Sequence, residues 1–445
     1  MEIYTIGGYS EVGKNMTAVK TGEDIFLFDA GFYMPAIVEM QEDEKREYSE
    51  KSLRSKGAIP NDLILDKLGL RNKVRAIFLS HGHLDHIGAI PYLSHRYNAP
   101  VIGSPFTISI LKKVLESEKK QIPNKLITVQ VNSSIKIKGK SREYRAELIN
   151  MTHSIPHTTM IALHTKEGVV VYGNDFKIDN TPVIGSPPNY NALKRISKQG
   201  VKVAIIDSLY SDHAMKTPSE KIARNMVEEV LLTVRNEKSA IFITTFSSHI
   251  ARLKSIVEFG KKLDREIFFI GRSLEKYVSA ASRINLISFR KDIQLKTYKN
   301  QVSSALRKVG KQRSKYMVVC TGHQGEPGSI LERISRRKLP FEFLKHDNLI
   351  FSSKTIPVPA NIENRENMDK RLRKSKVRIF NEVHVSGHGG REDIMDLITL
   401  INPQHIIPSH GPANRLRSMN EIGKDLGYKP GKEIHLMSDD QKLKL

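Results

Sequence analysis

Three imidazoles and a carboxylate fall within Ser80-His81-Gly82-His83-Leu84-Asp85-His86, directly after the apolar run Val74–Leu79. Neutral imidazole nitrogen and carboxylate oxygen are the ligands that zinc and other first-row divalent ions accept, and a turn after a strand can aim several of them at one point. Further Asp and His residues follow other apolar runs. Asp29 comes after Ile25–Phe28, His153 after Arg145–Ile149, Asp175 after Gly168–Tyr172 and Asp207 after Val203–Ile206; His388 follows a strand expected over Phe380–Val385, and His410 follows Ile406-Ile407. Side chains at the ends of strands in an α/β sheet converge on one crevice. His81, His83 and His153 could then hold one cation and Asp85, His86 and His410 a second, with Asp175 bridging. Two cations roughly 3.5–4 Å apart lower the pKa of a shared water and clamp the attacking oxygen of an in-line displacement at phosphorus. That chemistry points to hydrolysis of a phosphodiester.

The elements that must position these groups alternate between strand and helix. Strands are expected over Met1–Ile6 and Met16–Lys20, joined by the glycine-rich turn Gly7–Gly13, which lets backbone approach the site. Helical spacing runs over Ala89–Tyr97 and Thr107–Lys120, and His164, inside a strand pattern, reads as a structural histidine. Glu39–Lys56 reads as an exposed charged loop or short helix. From about 186 to 350 a parallel α/β pattern of its own sets in, with a helix over Ser219–Asn236 and strands Ala240–Thr244, Ile267–Gly271 and Met317–Cys320. A turn is expected at Pro357-Val358-Pro359 and a basic helix surface over Asn367–Lys376.

Composition narrows the function classes. The 445 residues suit two domains or one domain carrying a large insertion. With 71 Lys+Arg against 48 Asp+Glu, the net charge of +23 favours a polyanionic partner such as nucleic acid. The single Cys320, in an apolar run, excludes a disulfide framework and suits a reducing cytoplasm. No apolar stretch is long enough to span a membrane and the N-terminus has no signal-peptide pattern, so a cytoplasmic protein without membrane association is expected.

His81-Gly82-His83-Leu84-Asp85-His86, with Asp29, His153 and Asp175, resembles the signature of metallo-β-lactamase-fold hydrolases, and Asp207, His388 and His410 resemble the three motifs of the β-CASP subgroup that acts on nucleic acids. The stretches Gly7–Met16, Thr321-Gly322-His323-Gln324-Gly325-Glu326-Pro327 and His384–His388 resemble the ribonuclease J family along nearly the whole chain. The resemblance implies an α/β fold: a metallo-β-lactamase αββα sandwich from 1–185 and 351–445 around an inserted β-CASP domain at 186–350. With its end at Leu445 the chain is expected to be of the shorter archaeal type, which lacks the C-terminal domain of many bacterial members, and no KH-like segment is expected before the core. Three departures stand out: His157 where the family often has Asp, His323 where it often has Ser, and Val358-Pro359 in place of a usual glycine.

What the resemblance implies for function is a two-metal ribonuclease, most simply with Zn2+ and with Mn2+ as the other candidate. It is expected to act as a processive 5′-to-3′ exonuclease on single-stranded RNA with a 5′ monophosphate, in RNA decay and maturation. Asp85 and Asp175 serve both metal and catalysis, Asp207 and His388 stabilise the transition state or protonate the leaving oxygen, and Asp29 orients a ligand. Arg272, His323, Ser386 and Gly387 are expected near the terminal phosphate. A homodimer is the expected assembly. An endonuclease of the polyadenylation-factor type is the alternative; a metal-free RNA scaffold and a small-molecule thioesterase or lactonase explain the ligand set and the basic insertion less well.

Overall fold

In the computed structural model, residues 1–42, 48–234, 237–356 and 359–445 are described. The centre of the charged Glu39–Lys56 stretch, the end of the helix expected to reach Asn236, and Pro357-Val358 lie outside them. The chain forms two compact units, one of Met1–Asn180, Gly185–Thr217 and Gly387–Leu445, the other of Thr181–Ile184 and Pro218–Ser386.

The first unit holds two mixed sheets. Strands β1 (Glu2–Gly7), β2 (Met16–Thr21), β3 (Asp24–Phe28), β4 (Val74–Leu79), β5 (Val101–Gly103) and β6 (Leu126–Thr128) form the first, and the terminal strand β19 (Gln441–Lys444) pairs antiparallel with β1. The second has the order β18 (His405–Ser409), β11 (Val201–Asp207), β10 (Gly168–Gly173), β9 (Thr159–Thr165), β8 (Glu143–Asn150), β7 (Ser133–Lys138). Period-two alternation decides what each face buries. Val170, Tyr172, Val203 and Ile205 meet Phe26, Phe28 and Phe78 of the first sheet in one core, while Val169, Val171, Ala204 and Ile206 turn to the other side, against helices Tyr190–Gln199 and Arg391–Ile401. This is the αββα sandwich of the metallo-β-lactamase fold.

The second unit is a six-stranded sheet in the order β14 (Ile293–Lys296), β13 (Glu266–Ile270), β15 (Tyr316–Cys320), β12 (Ile241–Thr244), β16 (Asn348–Phe351), β17 (Arg378–Phe380), with every pairing parallel. Its strands are short apolar runs covered by helices, as a parallel sheet requires.

Three sequence expectations are corrected. The boundaries fall after Thr217 and Ser386 rather than at 186 and 350, because β11 pairs with β10 and β18 in the first unit whereas β16 and β17 complete the sheet of the second. The strand expected over Phe380–Val385 is β17, three residues ending at Phe380, and Glu382 takes a left-handed φ of 57° that breaks the ladder. His388 therefore follows a loop, not a strand. Ala89–Tyr97 is two short helical pieces, Ile90–Leu93 and Ser94–Arg96, rather than one helix.

Candidate metal centre

Asp29, Asp175 and His410 each stand one or two residues past a strand, β3, β10 and β18, and all three take left-handed backbone with φ of 60°, 57° and 58°. That conformation costs roughly 1–2 kcal/mol for a residue with a Cβ and is best tolerated by Asn, Asp and His. It turns each side chain sharply off the strand end. The His81–His86 turn follows β4, and Gly31 lets β3's exit cross it, since a Cβ there would lie 1.6 Å from the Asp85 carbonyl oxygen.

The convergence is close. His81, His83, His153 and Asp175 form one group and Asp85, His86, Asp175 and His410 a second, each with its ligand atoms within 4.8 Å of one another. Asp175 Oδ2 lies 3.5 Å from His81 Nε2, 3.2 Å from His86 Nε2 and 3.6 Å from His153 Nε2, and Oδ1 lies 3.6 Å from His410 Nε2. Asp175 is almost wholly buried, yet its Oδ1 accepts no hydrogen bond. An ionised buried oxygen without a donor is costly, and imidazole nitrogens crowd together 3.0 Å (His81 Nε2 to His83 Nδ1) and 3.3 Å (His153 Nε2 to His83 Nδ1) apart. A cation between them resolves both problems, so the donor set fits two divalent metals.

The surrounding groups set the tautomers. His86 Nδ1 donates to Asp29 Oδ2 at 2.7 Å, leaving Nε2 to face Asp175, and His153 Nδ1 donates to the Gly387 carbonyl at 2.6 Å. Asp29 also accepts the Ser80 N–H at 2.8 Å and its hydroxyl at 2.7 Å, and Ser80 Oγ lies 3.0 Å from His81 Nδ1. Such carboxylate–histidine pairs fix ring orientation at metal sites. Burial, reinforced by neighbouring imidazoles, holds His81 below its ordinary value and His83 and His153 well below it, so they are neutral. Burial alone would raise Asp175, but His410, His86 and His388 outweigh it and hold the carboxyl well below the usual range.

Beside this lies Asp207–His388. His388 Nδ1 is 2.7 Å from Asp207 Oδ2, and its Nε2 is 3.9 Å from Asp175 Oδ2. Burial works against charging the ring, but Asp207 and Asp175 prevail and push His388 up to about 9.

Comparison with known proteins matches this architecture. Residues 10–175 fit the metallo-beta-lactamase superfamily, 238–369 the ribonuclease J beta-CASP domain, and 375–436 the Zn-dependent metallo-hydrolase RNA specificity domain. Ribonuclease J of Methanocaldococcus jannaschii is 41% identical over 443 residues, covering 99% of this chain and 98% of that one. The chain belongs to the ribonuclease J family. The Pyrococcus abyssi member is 39% identical over 98% of this chain and 95% of its own. A protein of unknown function from Enterococcus faecalis shares the fold at a TM-score of 0.65 and 16% identity, covering 99% of both chains.

The residues expected at a terminal phosphate are divided between the units. Arg272 is exposed at the start of helix Arg272–Arg283, just past β13, and His323 follows β15. Both belong to the second unit with Ser386, whereas Gly387 belongs to the first, against Ser154. Both His323 ring nitrogens are buried without a hydrogen-bond partner among the described residues, and burial lowers the ring's pKa. His157, another departure from the ribonuclease J pattern, accepts the Phe106 N–H at 3.3 Å and so ties down the start of helix Pro105–Ser117. His164 is structural, paired with Glu147 at 2.6 Å.

Sequence reasoning missed Asn15. Its amide lies 2.9–3.1 Å from His410 Nδ1, and its Nδ2 donates to the Asp85 carbonyl at 3.0 Å. Its place in the stretch Gly7–Met16, whose Gly8 carbonyl accepts the His410 N–H at 2.6 Å, was the available signal.

Proposed function

We propose that the chain is a metal-dependent ribonuclease that hydrolyses RNA phosphodiester bonds, with a pair of Zn2+ ions, or Mn2+, as cofactor. The observation that carries this is Asp175 at the junction of two ligand groups with a buried oxygen that accepts no hydrogen bond. Bound cations would supply Lewis-acid activation of water and neutralise charge at phosphorus. In this reading His81, His83 and His153 hold one ion, Asp85, His86 and His410 the other, and Asp175 both. Asp29 keeps His86 in its binding tautomer.

Asp175 also orients the attacking water. His388, fixed through Nδ1 by Asp207, which favours its charged form, donates from Nε2 to the leaving oxygen or stabilises its charge. Family membership supports a processive 5′-to-3′ exonuclease on 5′-monophosphate RNA, with Arg272, His323, Ser386 and the Gly387 backbone near the terminal phosphate, working as a cytoplasmic homodimer in RNA decay and maturation. Among the described residues no helix is long and apolar enough to cross a membrane.

The test uses 5′-end-labelled RNA carrying monophosphate, triphosphate or hydroxyl ends, with Zn2+ or Mn2+ added. Release of labelled mononucleotide, fastest from the monophosphate, is the expected result. Internal fragments from all three substrates at equal rates would replace the exonuclease by an endonuclease. Near-normal turnover by His81→Ala or Asp85→Ala would overturn the metal assignment.

A further inference from the structure

Between Asp292 and Glu326 the chain carries seven Lys or Arg and no Asp or Glu. Most of that stretch is helix Lys299–Lys311, which crosses from the C-terminal end of β14 to the start of β15. Val302, Ala305, Leu306 and Val309, at the i, i+3, i+4, i+7 spacing of one face, are buried in the core of the second unit. The opposite face carries Arg307, Lys308 and Lys311, all exposed and with no ion pair among the described residues. Nearby carboxylates are engaged elsewhere: Asp292 with Lys261, Asp347 with Arg313, and Glu266 with Lys315.

A helix dipole accounts for Lys308 and Lys311 in the last turn, where cations are favoured. It does not account for the other end. Lys299 opens the helix at the end where a cation is unfavourable, and the first turn holds no acidic residue. Before it stands Tyr298, at a position that favours Ser, Thr, Asp or Asn; its ring is 74% exposed, and the start is closed instead from Gln301, whose Oε1 accepts the Thr297 N–H at 3.2 Å and the Tyr298 N–H at 3.4 Å. An aromatic and a lysine at a helix start break local rules together, and such breaks mark functional positions.

We propose that this face is a track for single-stranded RNA, outside the metal centre. Tyr298 offers a platform on which a base stacks, and Arg307, Lys308 and Lys311 hold phosphates along the solvent face of the helix, with Lys299 at its start. A stacking aromatic joined to a basic stripe free of acids is the chemistry of single-strand binding rather than of duplex binding, which needs no exposed ring. The inference rests on the ribonuclease reading for the substrate's identity, but its test reads binding and cleavage separately.

The chain contains no tryptophan, so Tyr298→Trp places a single indole emitter on the track. Titration in EDTA with a single-stranded 20-mer should quench its emission strongly, and a duplex of equal length only weakly. In parallel, the triple variant Arg307→Gln/Lys308→Gln/Lys311→Gln should raise KM for a 30-mer about tenfold at unchanged kcat and leave kcat/KM for a 4-mer within about twofold. It should also flatten the dependence of log affinity on log salt by about two units, three contacts at about 0.7 each. No quenching at RNA saturation, or a triple variant binding long RNA like the parent, would overturn the inference, and in the second case an acidic protein surface would be the better partner for this face. Failure of the unaltered protein to cleave either RNA would count against the ribonuclease reading alone, because quenching still reports the track.

Discussion

Each unit buries a carboxylate among basic side chains, and the two carboxylates are treated in opposite ways. In the second unit Glu220 accepts Arg252 Nε at 2.7 Å through Oε1 and Arg252 Nη2 at 2.9 Å through Oε2, with His249 Nε2 3.2 Å away. Arg252 spends its Nη1 on Ser352 Oγ at 2.8 Å and on the carbonyls of Ser352 and Val383 at 3.0 and 3.1 Å. Donors and acceptors there close on one another. In the first unit Asp175 has histidines on several sides, two of them held well below their ordinary pKa, and an oxygen that accepts no hydrogen bond. Burial is alike in the two clusters; what differs is satisfaction. A closed cluster is scaffold, and an open one waits for a further positive charge.

The contrast breaks most sharply under Asp175→Asn. Losing the anionic ligand proposed to be shared should cost several kcal/mol of transition-state stabilisation, so kcat/KM on RNA should fall about a thousandfold or more while metal-free stability in urea stays within about 1 kcal/mol. A variant that unfolds without losing activity per folded molecule would make the centre scaffold after all. Arg252→Met should do the reverse. It strands Glu220 without its partner and should destabilise the protein by about 3–5 kcal/mol in urea, with kcat on RNA unchanged in the fraction that remains folded.

How much of this was legible in the sequence follows from what is local. His81–His86, Asp29, Asp175 and His410 could be found because each stands just past an apolar run, and a left-handed Asp or His after a strand is a local event. The αββα layering was carried by motifs and alternating buried runs. Unit boundaries were not legible, because the alternation in Val201–Asp207 is the same whether β11 pairs with β10 and β18 or starts a new sheet. The strand misplaced over Phe380–Val385 has suitable residues and fails on the backbone of Glu382. Asn15 was legible only as part of the stretch Gly7–Met16, because an amide earns its role only through partners 70 and 395 positions away. The closed Glu220–Arg252 cluster was equally hidden, since its residues come from separate elements.

Asn15 lets the comparison be sharpened at smaller scale. It is the polar residue that supplies the open cluster with some of the closure seen around Arg252, by holding His410 and Asp85 in place. Asn15→Ala should weaken divalent metal binding about 10- to 100-fold, read by competition with a chelator, with folding retained. Affinity equal to the parent would mean that the Gly8 carbonyl and the left-handed backbone of His410 position the ring without help.

The smallest effect is the most direct measure of closure. Burial would raise Glu220, but His249 and Arg252 hold it well below its ordinary value of 4.5. The unfolded chain therefore binds a proton there that the folded one refuses, and stability rises with pH across that interval. The contribution is fully present above about pH 4.5 and is lost as pH falls through the folded value. Glu220→Gln removes the titration, so the stability gap between parent and variant, measured in urea from pH 7 downward, should stay constant to about pH 5 and then narrow. A gap independent of pH down to 3 would mean that Glu220 is no more tightly held than in the unfolded chain, and that the closed cluster stabilises the second unit by packing and backbone contacts rather than by charge.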